Sequence, residues 1–233
     1  MQLVVHLADR NLSFYDGTNR QSVRVPLLAG PYSRSFLIDP SEFTAVLGVR
    51  FKPGACRVFF PVPAHELHNR DVPLEDLYPQ EAARLYDELL ASGALHVQFR
   101  VIERYLIGKI PSGLAVHPVV EYAIQEFLKE PGVRAIADLQ LETGLSHTRF
   151  IQIFRDHVGL TPKLFCRIQR FKTVLRHIER GAPVSWAEVA AACGYFDQAH
   201  LIHDFRAFSG ITPVAYAQTA ERAKLGSAVS VAG

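Results

Sequence analysis

A pattern of ten residues occurs twice in this chain, and it commits the C-terminal half to two copies of one helical unit. The first copy is Ile136, Leu139, Gly144, Phe150, Phe154, Arg155, Gly159, Leu160, Thr161 and Pro162; the second is Trp186, Val189, Gly194, Leu201, Phe205, Arg206, Gly210, Ile211, Thr212 and Pro213. The offset is 50 residues up to the shared glycine and 51 after it, so the second copy has one extra residue at its turn. Self-similarity at a fixed period marks a repeated supersecondary unit.

Each copy has the pattern of a helix-turn-helix. An apolar run (Ala135–Leu141, Ala187–Cys193) meets a glycine, Gly144 or Gly194, that can take the left-handed conformation ending a helix. Ser146 and Asp197 then stand where a cap accepts from the free amides of the next helix. The spacing predicts second helices over about 147–157 and 198–208. In the first, Phe150, Ile153, Phe154 and Val158 share one face. Thr148, Ile151, Gln152 and Arg155 share the opposite face. The second helix repeats the arrangement, with Leu201, Phe205 and Phe208 inward and Ala199, Ile202, His203 and Arg206 outward. Between the units Thr161 caps, Pro162 takes a first helical position, and a basic amphipathic helix runs to about Arg180, where Gly181-Ala182-Pro183 stops it. Such a rod can hold two recognition helices about 34 Å apart on one side of a duplex.

The stretch from about 117 to 217 resembles the DNA-binding domain of the AraC/XylS family of bacterial transcription regulators. The resemblance is carried by "GLSHTRFIQIFRDHVGLTP" and "AEVAAACGYFDQAHLIHDFRAFSGITPVAY". It implies a seven-helix domain whose two helix-turn-helix units bind adjacent major grooves of double-stranded DNA. By position, base-facing sites fall at Thr148, Ile151 and Gln152 and at Gln198, Ala199, Ile202 and His203. Ser146, His147, Arg155, Lys163, Arg167 and Arg206 complete the expected DNA-binding set. The chain departs from the family where Arg is frequent, at Thr148 and Gln152, and where Ser and Arg are common, at Ile202 and His203. Readout therefore leans on Gln contacts to adenine and on apolar contacts to thymine methyls. Asp204 is expected as a negative charge beside the DNA face, or else as a carboxylate turned back into the domain and paired with a neighbour such as Arg206 or Lys172.

Charge is uneven. The chain carries a formal net charge of +2, but residues 147–180 hold eight basic side chains (Arg149, Arg155, Lys163, Arg167, Arg170, Lys172, Arg176, Arg180) against Asp156 and Glu179. Residues 181–217 hold Arg206 against Glu188, Asp197 and Asp204. Phosphate neutralisation supplies most non-specific affinity, so the first unit and the spacer helix should dominate it.

Residues 1–78 read as β. LVVHLADRNLSFYDG, SVRVPLLAG, SRSFLID and TAVLGVRFKPG are short apolar or alternating runs broken by Asp-Gly, Gly-Pro and Pro-Gly. Helices follow over Pro79–Ala91 and about Ala94–Ile107. The expected organisation is an α+β chain: a β-rich regulatory or interaction domain over 1–107, a linker over 108–116, the DNA-binding domain over 117–217 and a flexible tail over 218–233. With "LGVRFKPG", "FPVPAHELHNR" and "VPLEDLY", the N-terminal part resembles the small cupin-like domain found before some AraC-type DNA-binding domains. It begins inside what would be an early strand of such a domain, so completeness of the N-terminus is left open.

Other function classes find less support. His65, Glu66 and His68 cluster after a proline-rich turn, and His6 and His96 are isolated, which does not match barrel-strand metal ligands. No phosphate-cradling glycine loop or G-x-S-x-G elbow occurs. No catalytic residues, metal or cofactor are expected, and a fused metalloenzyme is the least favoured reading. Cys56, Cys166 and Cys193 lack metal or redox spacing and read as small core residues of a cytoplasmic protein. The sequence shows neither a membrane span nor a secretory signal. The expectation is a sequence-specific DNA-binding regulator whose N-terminal domain senses a small-molecule effector or dimerises, or else serves as a ligand-free protein-interaction module. RNA polymerase and a second copy of the chain are further candidate partners.

Overall fold

The computed structural model describes residues 1–8, 11–16, 18–38, 45–110, 116–129, 135–179 and 185–224. The chain divides into two compact units. The N-terminal unit comprises Met1–Tyr32, Leu37–Glu121 and Ile153–Leu160, and the C-terminal unit Ser33–Phe36, Tyr122–Gln152 and Thr161–Gly233.

In the N-terminal unit the strands are β1 (Gln2–His6), β2 (Asn11–Asp16), β3 (Asn19–Arg24), β4 (Leu27–Ala29), β5 (Leu37–Ile38), β6 (Val46–Arg50) and β7 (Asp71–Pro73). They form two antiparallel sheets, ordered β6-β1-β4-β7 and β3-β2-β5. Leu3 pairs with Leu28 on one side and Val49 on the other, which places apolar side chains together on one face of the pleat. Leu3, Val5, Leu27 and Leu28 are buried, and Phe51, Phe60, Leu74, Leu85 and Leu89 join the same core.

The β reading holds to Arg50 and then fails. Residues 51–78 contain only the short β7; the rest is turns, helix α1 (Cys56–Phe59), a 3-10 turn over Ala64–Leu67 and helix α2 (Leu74–Leu77). Prolines at 53, 61, 63 and 73 cannot donate to a ladder and break the run into single turns. Helix α3 (Pro79–Ala91) starts with proline at its first position, as expected. Helix α4 (Leu95–Lys109) runs two residues beyond the expected end, so Gly108 and Lys109 are helical. Of the expected linker, residues 111–115 lie outside the described residues.

Seven further helices are described: α5 (Pro118–Lys129), α6 (Ile136–Glu142), α7 (His147–Val158), α8 (Pro162–Glu179), α9 (Trp186–Ala192), α10 (Gln198–Ser209) and α11 (Pro213–Lys224). Within the C-terminal unit α8 packs against α9, α10 and α11. Phe171 on α8 lies 5.0 Å from Phe205 and 5.3 Å from Phe208, and Phe205 lies 5.6 Å from Tyr216 of α11. These ring pairs prefer tilted and edge contacts, which locks the crossing of the helices. Residues 218–224, read from sequence as tail, continue α11. Arg180, the Gly181-Ala182-Pro183 stop and residues 225–233 lie outside the described residues. Among the described residues no helix is long and apolar enough to cross a membrane.

Candidate nucleic-acid interface

The first unit is α6, a turn and α7. Gly144 has φ of 67°, and the Arg149 amide donates to Ser146 Oγ at 3.4 Å, so the turn glycine and the cap stand where the sequence placed them. Phe150, Ile153, Phe154 and Val158 are buried. Ser146, His147, Thr148, Gln152 and Arg155 are exposed and Ile151 is half-buried. Each apolar anchor on the inner face thus leaves a polar neighbour on the outer one.

The last two turns of α7 are part of the N-terminal unit. His65 Nδ1 lies 3.0 Å from Asp156 Oδ1. Gly159, with φ of 84°, caps α7 where a Cβ would come within 2.5 Å of Pro31 Cγ and 2.7 Å of the Ala64 carbonyl oxygen. Only glycine satisfies both the backbone angle and that approach. Burial and the Arg155 charge lower the His68 pKa. Burial also lowers that of His157, assisted by Arg57 and His117 and opposed by Asp156.

The second unit is α9, a turn and α10. Gly194 has φ of 72°, and the His200 amide donates to Asp197 Oδ1 at 2.7 Å. Four residues separate α6 from α7 and five separate α9 from α10, which is where the extra residue of the second repeat sits. Leu201, Phe205 and Phe208 are buried. Gln198, Ala199, His203 and Arg206 are exposed, and Ile202 is half-buried.

Asp204 takes the inward of its two expected placements, with partners other than Arg206 and Lys172. It is 2% exposed, and Arg167 donates to its Oδ1 through Nε at 3.1 Å and a terminal nitrogen at 2.7 Å. A terminal nitrogen of Arg170 lies 3.6 Å from Oδ2, and the Arg170 guanidinium stands 4.9 Å from the Tyr195 ring centre. Burial, and then the Asp204 charge, raise the Tyr195 hydroxyl pKa. Asp204 follows Leu201 by one turn, so it lies on the inner face, and an inner carboxylate requires cationic partners. Arg167, expected on DNA, is one of those partners. Among the described residues of this region, the cations that remain exposed are Arg149, Arg155, Lys163, Arg176 and Arg206.

Two side chains at this surface were missing from the expected set. Arg149 counted toward the basic balance but falls between the two stripes of α7, so periodicity alone did not select it. Phe196 is 92% exposed in the turn before α10. Its signal was an aromatic immediately ahead of a polar cap. The three cysteines are buried and free, as expected of core residues. Burial pushes the Cys56 thiol up to about 12 and Cys166 to about 11, which suppresses thiolate chemistry.

Residues 140–219 match the family model described as a helix-turn-helix domain, and residues 1–73 match a domain of unknown function, DUF6597. The comparison with curated proteins gives no match. Among solved structures, the chain is similar to the DNA-binding domain of AdpA, a global transcriptional factor in complex with a target DNA, at 22% identity over 47% of this chain and 99% of that one, with a TM-score of 0.43. It is also similar to a DNA-binding transcriptional dual regulator from Escherichia coli K-12, at 20% identity over 47% and 99%, with a TM-score of 0.40. ToxT from Vibrio cholerae is similar over 93% of this chain and 88% of that one, at 10% identity and a TM-score of 0.45. The family match, the doubled caps and the buried anchors carry the assignment, and these three resemblances do not. Residues 140–219 form a helix-turn-helix domain, the kind of domain that the sequence resemblance implies for this stretch.

Proposed function

We propose that α7 and α10 each read base edges in a major groove, and that the N-terminal unit adjusts this reading in response to a small molecule or to a second copy of the chain. One observation supports it above the others: both helices begin at a side-chain cap after a left-handed glycine, and both bury their aromatic anchors while exposing a stripe of base-sized polar groups. Thr148, Ile151 and Gln152 are the readers on α7, and Gln198, Ala199, Ile202 and His203 those on α10. Arg149, Arg155, Lys163 and Arg206 supply phosphate contacts; Arg167 supports α10 through Asp204. The reading invokes no catalysis and no cofactor, and it places the protein in the cytoplasm.

Selection of binding sites from random duplexes tests it. Two half-sites about one helical turn apart are expected, with Gln152→Ala relaxing one and His203→Ala the other. Enrichment of a single half-site insensitive to both substitutions overturns it.

Self-association has its own support. Leu95, Phe99 and Ile107 of α4 are exposed, which is unusual for side chains of that size on one helix. Sedimentation of the full chain with and without Phe99→Glu checks this; a wild-type monomer at tens of micromolar overturns it.

A further inference from the structure

Three aromatic rings of the N-terminal unit surround a cation supplied by the chain itself. Lys109 Nζ stands 3.4 Å from the ring centre of Tyr78, 5.5 Å from that of Tyr105 and 5.9 Å from that of Phe60. Glu81 Oε2 lies 2.5 Å from the same nitrogen. The rings are tilted about one another, with Phe60 6.2 Å from Tyr78 and 6.5 Å from Tyr105. The Lys109 side chain is only 13% exposed. The Tyr105 hydroxyl is buried and has no hydrogen-bond partner among the described residues.

For a lysine this is an expensive position. An ε-ammonium is a compact, strongly hydrated charge, and here it loses most of its water to ring faces and a single carboxylate. Ring faces attract any cation through their quadrupole, but they suit a weakly hydrated one better, and aromatic cages of this composition take quaternary ammonium groups. The Glu81 carboxylate neutralises a fixed positive charge without needing a donated hydrogen bond.

We propose that Phe60, Tyr78, Tyr105 and Glu81 form a binding site for an organic ammonium ligand, which Lys109 occupies in its absence. The ligand class is a small quaternary or heavily methylated ammonium, whose charge replaces that of Lys109 beside Glu81. Lys109 is the last residue of α4 and stands shortly before α5 begins at Pro118. Displacing its side chain therefore releases the end of α4, the last helix before α5. That second consequence rests on the proposed effector-sensing role of the N-terminal unit; the binding site does not.

A tethered competitor acts at a millimolar or higher effective concentration, so removing it should tighten binding. Titrate full-length protein and its Lys109→Gln variant with tetramethylammonium, following Tyr78 and Tyr105 ring resonances, and use the uncharged alcohol 3,3-dimethylbutanol, which carries a group of the same shape, as control. The expected result is saturable binding of tetramethylammonium, at least about tenfold tighter in Lys109→Gln, lost on adding Tyr78→Ala and weak for the alcohol. If Lys109→Gln does not stay folded by circular dichroism, the wild-type titration decides, with displacement of the Lys109 Nζ resonances as the readout. Unresponsive tyrosines in every folded protein overturn the proposal, as does equal binding of the uncharged alcohol. Operator affinity is measured alongside: binding without any change in DNA affinity leaves the site standing and refutes its coupling to regulation.

Discussion

Arg167 on α8 donates twice to one carboxylate oxygen of Asp204 on α10, through Nε at 3.1 Å and a terminal nitrogen at 2.7 Å, and this pair ties the spacer helix to the second recognition helix. Asp204 is buried, so its charge depends on Arg167 and Arg170 for compensation. Removing one partner of a buried pair costs about 3–5 kcal/mol, and a part-exposed Arg167 places the cost toward the lower end. Asp204→Ala is therefore expected to lower the melting temperature and weaken binding to all DNA. Asp204→Asn should do so less, since an amide oxygen still accepts from Arg167. Thermal melts beside affinities at two salt concentrations check this; tighter binding with an unchanged melt would restore the outward placement of Asp204.

On the outer face, Gln152→Ala should cost about 1–3 kcal/mol of discrimination between operator and scrambled DNA, the worth of a bidentate base contact. Gln152 is exposed and its neighbours Phe150, Ile153 and Phe154 hold the helix from within. Non-specific affinity and stability should stay near wild type. Equal losses on both duplexes would move Gln152 from base reading to the backbone.

What was legible in the sequence follows from what is local. The doubled glycines, the caps Ser146 and Asp197 and the 3.6-residue spacing of Phe150, Phe154, Leu201 and Phe205 act within one or two turns, so α7 and α10 could be bounded to about a residue. Asp204 could not be placed that way. Its burial depends on Arg167, 37 residues away on another helix, and a charge on an inner stripe reads as outward until its partner is known. The packing of residues 153–160 with the N-terminal unit is likewise non-local: Asp156 and Gly159 meet His65, Pro31 and Ala64, which no periodicity connects. The Lys109 cage joins separate segments of the chain, and its lysine falls in a stretch whose glycines and proline read as linker.

Inner anchors should fail through stability. Phe154 and Phe205 are essentially fully buried, and truncating such rings to alanine costs about 3–5 kcal/mol. Phe154→Ala and Phe205→Ala should each lower the melting temperature and lose DNA binding together. A variant that keeps its melting temperature while losing DNA binding would mean that the faces are reversed.

The exposed cations set salt dependence. Arg149, Arg155 and Lys163 are exposed, so replacing each with alanine should reduce the slope of log affinity against log salt by about 0.9 for every phosphate left unneutralised, on any duplex. Arg167→Ala should instead change stability more than slope. Titrations between 50 and 200 mM salt, a range that shifts such affinities by orders of magnitude, separate the two; a full drop in slope for Arg167→Ala would return it to the phosphate-binding set.

Acid should loosen the end of α7 first. Burial holds the His157 pKa below its ordinary value of 6.5, with Arg57 and His117 adding repulsion, and burial does the same for His68 with Arg155. As pH falls through 6.5 the unfolded chain takes up protons that the folded one resists, so it binds more protons and gains stability relative to the fold. Stability should therefore be flat above about pH 7.5 and decline as pH falls below about 6.5. His157→Gln removes one of the two groups and should flatten the decline, and adding His68→Gln should flatten it further. Chemical denaturation across pH 5–8 reads this directly, and amide exchange locates it. Faster exchange in residues 153–158 at pH 5.5, with residues 198–208 unchanged, is the expected pattern; a uniform acceleration across both recognition helices would place the acid-sensitive group outside the α7 terminus.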